Sequence, residues 1–473
     1  MDGTIVPLAE DFPAPSQADW LALVEKTLKG GSPDDLVSRT GDGIAIQPLY
    51  REAVETVRDL RPRDAERPWD VRMATAHPDP AQANVEVMKD LEGGAASVLV
   101  KIDPTGEQGV AVGSVEGLGR VLDGVLLDLA TVALDAGYLG PKAADWLGAL
   151  AKAAPAAPLA FHMDPLSTFA ETGAAPGPVE SHLVSAATVG ARLAVPYPKA
   201  TLMLATGRVV HEAGGTEAQE LGFMAAAGLA YVKGLRRAGV SMENAFARVV
   251  LGVSVDGQYF MDIAKVRAAR AIWARIVDAC EIAPAPARVE ARSSHRMLTR
   301  LDPWTNLIRL TAAGFGAAVG GADAVVLGAF TDALGLPTAF ARRQARNTQL
   351  ILMEEANLGR VADPAGGAWF LESLTDQLTR AAWAQFQAIE AAGGIIAALD
   401  TGLIQSNAAA ARAARPEEKI LGVTVFRNGD DKPVEIEKPV TTPAEAPSTR
   451  LPGPDGHCEP MAPIRFAAAF EEA

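Results

Sequence analysis

The sequence is most informative in what it lacks. Among 473 residues there are two cysteines, Cys280 and Cys458, so neither a disulfide framework nor a cysteine metal site is expected. A reducing, cytoplasmic compartment fits that scarcity. The six histidines (77, 162, 182, 211, 295 and 457) form no pair at metal-ligand spacing, and no His-Glu-x-x-His occurs. No Gly-x-Gly-x-x-Gly follows an apolar run, and no phosphate loop ends in Gly-Lys-Ser/Thr. Hydride transfer and nucleotide hydrolysis therefore lack their usual supports. Excess positive charge is missing too: 43 basic against 58 acidic residues give −15, which argues against nucleic acid or an anionic membrane as main partner. Met1 to Glu10 carries acids and no basic n-region, so no signal peptide is expected. Thr311 to Phe330 has the length of a membrane span, but five glycines and Asp323 interrupt it. It reads as a helix followed by a strand.

What is present suffices for a large core, since 49% of residues are apolar. The length allows one large domain or two to three smaller ones. Pro13 to Lys29 predicts an amphipathic helix with Trp20, Leu21, Val24 and Leu28 on one stripe. Apolar runs predict strands at Ala95–Ile102, Val125–Leu129, Leu159–Met163, Ala200–Ala205, Val249–Val255, Val289–Ser293 and Ala324–Leu327. An eighth is expected near Asp363 to Phe370. Thr216 with Gln219 three residues on is a capping-box pattern, so a helix should begin there and end at Gly239. Strand-helix units repeated over some 330 residues favour an α/β fold with a closed (β/α)8 TIM barrel. An open doubly wound sheet is the alternative. Asn428-Gly429, between Ile420–Phe426 and Val434–Glu437, signals a hairpin. The expected organisation is an N-terminal helix and extended arm over 1–64, the barrel over 65–415, and a hairpin with a truncated linker as a short C-terminal extension over 416–473.

Several runs carry a resemblance. Thr206-Gly207-Arg208-Val209-Val210-His211-Glu212-Ala213-Gly214 resembles the Ser-Gly-Tyr-His-x-x-Glu-Ala-Gly loop of methylmalonyl-CoA mutases. Thr40-Gly41-Asp42-Gly43-Ile44-Ala45-Ile46-Gln47-Pro48-Leu49-Tyr50 is similar to that family's N-terminal arm, which in the family wraps the companion subunit. Ala345-Arg346-Asn347-Thr348-Gln349 and Asp363-Pro364-Ala365-Gly366-Gly367 are its most specific matches. The departures are as telling. Arg208 and Val209 stand where competent members carry the cavity's Tyr and His, and Ala74 replaces a Tyr over the substrate. Lys101 replaces an Asp at the end of the first barrel strand; Val326 replaces a His, and Glu290-Ala291-Arg292 replaces His-Ser-Gln.

The losses resemble the small, non-catalytic subunits of heterodimeric bacterial members. The resemblance implies a complex interconverting methylmalonyl-CoA and succinyl-CoA, with a large catalytic subunit as partner and adenosylcobalamin bound there. For this chain it implies no catalytic residue and no cofactor. The family holds cobalamin through Asp-x-His-x-x-Gly. Asp455-Gly456-His457-Cys458-Glu459-Pro460 approaches that pattern, but Pro460 replaces the glycine, and it reads as coincidence. Arg67, Arg248 and Lys265 match positions near the family's acyl-CoA site, as possible CoA remnants; cations of this kind suit phosphate. His211 with Glu212 reads as a structural helix terminus rather than an acid-base pair. Two alternatives stand beside this reading. One is an active barrel that borrows a separate cobalamin protein and uses Arg208, Glu290 and Arg292 as new polar groups. The other is a stand-alone acyl-CoA binding module.

Overall fold

The computed structural model describes residues 15–51, 64, 66–283, 285–416, 419–427, 429, 432–438, 445 and 453–471. Eight parallel strands follow one another around a closed barrel. They are β1 (Asp70–Thr75), β2 (Ser97–Lys101), β3 (Thr131–Asp135), β4 (Ala160–Met163), β5 (Thr201–Thr206), β6 (Val249–Val255), β7 (Arg288–Ser293) and β8 (Ala324–Val326). The ring closes where Ala324 and Val325 of β8 lie beside Asp70 and Val71 of β1. Burial on both faces makes such strands continuous apolar runs, and all seven residues of β6 are buried.

Three expectations about strands change. The strand expected at Val125–Leu129 is a turn, with Leu126 and Leu129 exposed, and the pairing strand is β3. The eighth strand does not lie near Asp363 to Phe370, where turns lead into a helix from Trp369. It is β1, whose Asp70 and Arg72 interrupt the apolar pattern that would have revealed it. Lys101 therefore ends the second strand of the barrel rather than the first.

Outside the barrel, α1 (Gln17–Thr27), α2 (Pro80–Glu92), α3 (Glu217–Arg237), α4 (Tyr259–Ala279), α5 (Asn306–Gly320), α6 (Ala339–Leu350) and α7 (Trp369–Ala391) are the helices used below. The capping box of Thr216 and Gln219 starts α3 as its spacing predicts. Gly228 lets α3 approach α4: a Cβ there would stand 2.6 Å from the Trp273 ring. Trp273 is 1% exposed, and full burial of a large apolar side chain contributes roughly 1.5–3 kcal/mol or more. The stretch of membrane-span length is α5 followed by β8. Among the described residues no helix is long and apolar enough to cross a membrane.

The arm divides into two parts. Ser38–Arg39 pairs antiparallel with Ala45–Ile46, Ile44 is buried in the main core, and the Tyr50 ring lies 5.1 Å from that of Phe370. Asp42 reaches α3, accepting a hydrogen bond from the Ala218 amide at 3.1 Å. This part of the arm lies on its own barrel. Helix α1 buries no residue: its Trp20, Leu21 and Val24 are half-buried, as is Leu28 just after it, and Leu23 is exposed.

At the other end, Pro454–His457 pairs with Ala174–Pro176. The chain then crosses the loops after β4, β5 and β7: the amides of Met461, Ile464 and Phe466 donate to the carbonyls of Ala170, Glu212 and Arg296. The expected 420–437 hairpin is not formed among the described residues. Leu421 bridges Val425, Ile436 bridges Pro337, and Asn428 lies outside the described residues.

Candidate functional site

Barrel enzymes work at the C-terminal face, above an interior filled by layers of side chains. Alternation along a strand puts Asp70 and Arg72 on one face of β1, and Glu290 and Arg292 on one face of β7. Their contacts show which face. Arg292 Nη1 donates to Asp135 Oδ2 of β3 at 2.9 Å, and His162 Nδ1 of β4 lies 3.8 Å from Glu290 Oε2. Contacts from β7 to β3 and β4 can only cross the barrel axis.

An ion-pair ladder therefore crosses the lumen. Arg72 donates to Asp70 at 2.8 Å, to Ser97 Oγ at 2.9 Å, and to Glu290. Glu290 accepts in turn from Arg292 Nε at 2.6 Å. Glu290 is 1% exposed, and Arg72, Arg292 and His162 are also buried. Beside the ladder, Leu99, Ala133, Ala160 and Val326 form a small apolar cluster against Ala74.

The electrostatics follow from this placement. Burial alone would raise the Glu290 carboxyl, but Arg292, His162 and Arg72 outweigh it and hold the group well below the usual carboxylate range. Burial would lower the Arg292 guanidinium, and Glu290 and Asp135 reverse that. For His162 burial wins: its imidazole is pushed down to about 4 and stays neutral. His162 is also held at φ +45°, a left-handed backbone that is uncommon outside glycine. The Glu290 carboxylate is locked between two guanidinia, beside a neutral imidazole. The groups proposed for a repurposed active barrel, Glu290 and Arg292, are thus committed to each other. Arg208 sits in the short helix Arg208–Glu212 after β5, with its guanidinium 3.7 Å from Glu212. Val209, next to it, is buried.

The three positions matched to the acyl-CoA site are not brought together. Lys265 is sealed inside the protein, its Nζ 2.9 Å from Glu220 and 3.6 Å from Asp262. Arg248 lies just before β6, at the opposite end of the barrel, donating to the carbonyls of Tyr197 and Ala200 at 3.1 Å each. Arg67 is exposed just before β1. His211 and Glu212 do not pair with each other either. Glu212 accepts from the His295 and Arg296 amides at 3.2 and 3.0 Å, and His211 Nδ1 lies 3.2 Å from Glu220.

The sequence reading left Arg72, Asp135 and His162 outside the site. A signal was present: charges two residues apart, Asp70/Arg72 and Glu290/Arg292, each pair flanking an apolar residue. As for a cobalamin seat, His457 is exposed on a strand whose backbone pairs with Ala174. Pro460 stacks over Gly173, where a Cβ would stand 2.9 Å from it. These residues form a short strand and the irregular chain that follows it. Among the described residues no group of three His, Cys, Asp or Glu is placed to hold a metal.

Comparison with known proteins agrees with this architecture. Residues 57–450 match the methylmalonyl-CoA mutase family. The methylmalonyl-CoA mutase small subunit of Streptomyces virginiae is 40% identical, over 94% of this chain and 76% of that protein. A probable methylmalonyl-CoA mutase small subunit of Mycobacterium tuberculosis is 35% identical, over 93% of this chain and 71% of that protein. The small subunit of Propionibacterium freudenreichii subsp. shermanii is 34% identical, over 84% of this chain and 65% of that protein. With a closed eight-stranded barrel and sequence similarity along most of its length, the chain belongs to the methylmalonyl-CoA mutase family.

Proposed function

We propose that this chain is a non-catalytic subunit of a methylmalonyl-CoA mutase, holding a larger, cobalamin-bearing catalytic subunit in a heterodimer. The observation that carries the reading is the lumen ladder from Asp70 through Arg72, Glu290 and Arg292 to Asp135. A radical rearrangement needs a dry cavity shaped around its substrate. Here the axis is occupied by side chains whose separation would expose unpaired buried charge.

Ala74, Val209 and Val326 support the same reading, because at those places the resemblance expects Tyr and His. A retained role in assembly explains why a barrel persists without that chemistry. The half-buried stripe on α1 supplies apolar surface for a companion chain. Adenosylcobalamin belongs to the partner in this reading, and any CoA contact kept by this chain falls to the exposed Arg67 rather than to the occupied Arg248 and Lys265.

The test is co-expression with a full-length catalytic homologue, followed by size exclusion and a mutase assay. The expected result is a 1:1 complex whose activity survives Glu290→Gln in this chain and falls on deletion of residues 15–30. Turnover by the isolated chain supplied with adenosylcobalamin and methylmalonyl-CoA would overturn the non-catalytic role. Elution apart from a fully active homologue would overturn the partnership.

A further inference from the structure

Two cavities open beside the barrel mouth, between α2 and α6. The inner one, about 610 Å³, is lined by apolar groups that include Met73, Leu327, Leu334, Leu336 and Ile436, and also by Lys101, Glu107 and Asp332. The outer one, about 450 Å³, carries Lys89, Arg343, Arg346 and Phe340. They share His77, Glu86, Arg342 and Glu437, so they form one continuous groove. Its combined size is that of a site for a small organic molecule.

The charges are distributed unevenly along the groove. On the floor, the guanidinia of Arg342 and Arg346 are balanced by Asp90, with Glu86 3.4 Å from Arg342. Both guanidinia nevertheless keep a buried Nε without a hydrogen-bond partner. At the outer rim Lys89 and Arg343 have no carboxylate partner among the described residues, and Arg343 lies 5.8 Å from the Phe340 ring centre. On a chain of net charge −15, exposed cations gathered over a groove favour a negatively charged ligand locally. In the inner chamber Lys101 and Glu107 are of opposite charge, and burial pushes the Asp332 carboxyl up to about 7.

We propose that this groove binds an elongated amphipathic anion, its carboxylate or phosphate head at Lys89 and Arg343 and its apolar tail in the inner chamber. His77 suits the junction between the two parts. Its Nδ1 accepts from the Asp79 amide at 3.1 Å, which leaves Nε2–H as the donor available to a ligand. The site lies off the barrel axis, so it stands whether or not the lumen is catalytically silent.

Calorimetric titration of the full chain tests the assignment with three probes sharing one tail: decanoate, decyl phosphate and decyltrimethylammonium. The two anions should bind saturably at one site and the cation should not, and the tighter anion identifies the preferred head. Lys89→Glu with Arg343→Glu, both at exposed positions, should weaken the anions about tenfold or more by loss of charge-assisted contacts. Binding of the cation as tight as that of the anions, no saturable heat from either anion, or anion affinities unchanged by the rim reversal would each overturn the proposal.

Discussion

Replacing Glu290 by glutamine isolates the charge at the centre of the lumen while keeping the size of the side chain. Glu290 is 1% exposed and answers both Arg72 and Arg292. Without its charge, Arg72 retains Asp70 and Arg292 retains Asp135, but both guanidinia still face an unbalanced lumen. Breaking a buried pair from one side costs about 3–5 kcal/mol, because the stranded charge stays desolvated. Unfolding entropy of about 2.1 cal/mol/K per residue gives roughly 1 kcal/mol/K for this chain. The melting temperature should therefore fall by about 3–5 °C at neutral pH, read by calorimetry or near-ultraviolet dichroism. The pH dependence has a definite sign. Glu290 is depressed below its ordinary 4.5, so its stabilisation is present above that value and is lost as pH falls through the folded value. The glutamine variant should lack that acid-side loss. The double change Glu290→Met with Arg292→Met should recover most of the deficit, since apolar replacement of a buried pair is often neutral or better. A glutamine variant melting within about 1 °C of the parent would refute the view that the ladder is an electrostatic unit.

Two further outcomes concern groups with shifted protonation. Asp42, which ties the arm to α3, is pushed up to about 6 by burial and then by Glu217, so its stabilising protonated form is lost as pH rises from 3.8 through 6. Hydrogen-exchange protection at Thr40 to Ile46, taken relative to the intrinsic rate at each pH, should fall over that range, and Asp42→Asn should flatten the dependence; identical protection profiles for the two proteins would refute the latch. His162 is depressed from 6.5 to about 4, so its contribution holds above 6.5 and is lost as pH falls. Its imidazole resonance, assigned by its absence in His162→Gln, should stay at the neutral position from pH 8 to about 5; a midpoint near 6.5 would show an imidazole open to solvent.

The sequence alone determined the units of the fold. Strands β5 to β7, the capping box of α3 and the succession of α5 and β8 are local patterns, set by apolar runs and by residues three or four positions apart. Local pattern misled where burial is decided elsewhere. Val125–Leu129 is apolar enough to look like a strand, yet Leu126 and Leu129 face outward. Strand β1 was hidden by Asp70 and Arg72, whose charges make sense only opposite β7. The arm was legible as an apolar appendage, but not which surface Ile44 and Tyr50 would use.

Tertiary structure decided what the polar residues do. Arg72 meets Glu290 across 218 positions and Arg292 meets Asp135 across 157, and nothing in the spacing of those residues anticipates either pair. Of the three cations that similarity grouped, Lys265 is buried against Glu220, Arg248 donates to backbone carbonyls and Arg67 is exposed. A helix or strand is chosen by interactions along a few residues, whereas the content of a lumen is fixed only when the eighth strand meets the first and opposite walls come within hydrogen-bonding reach.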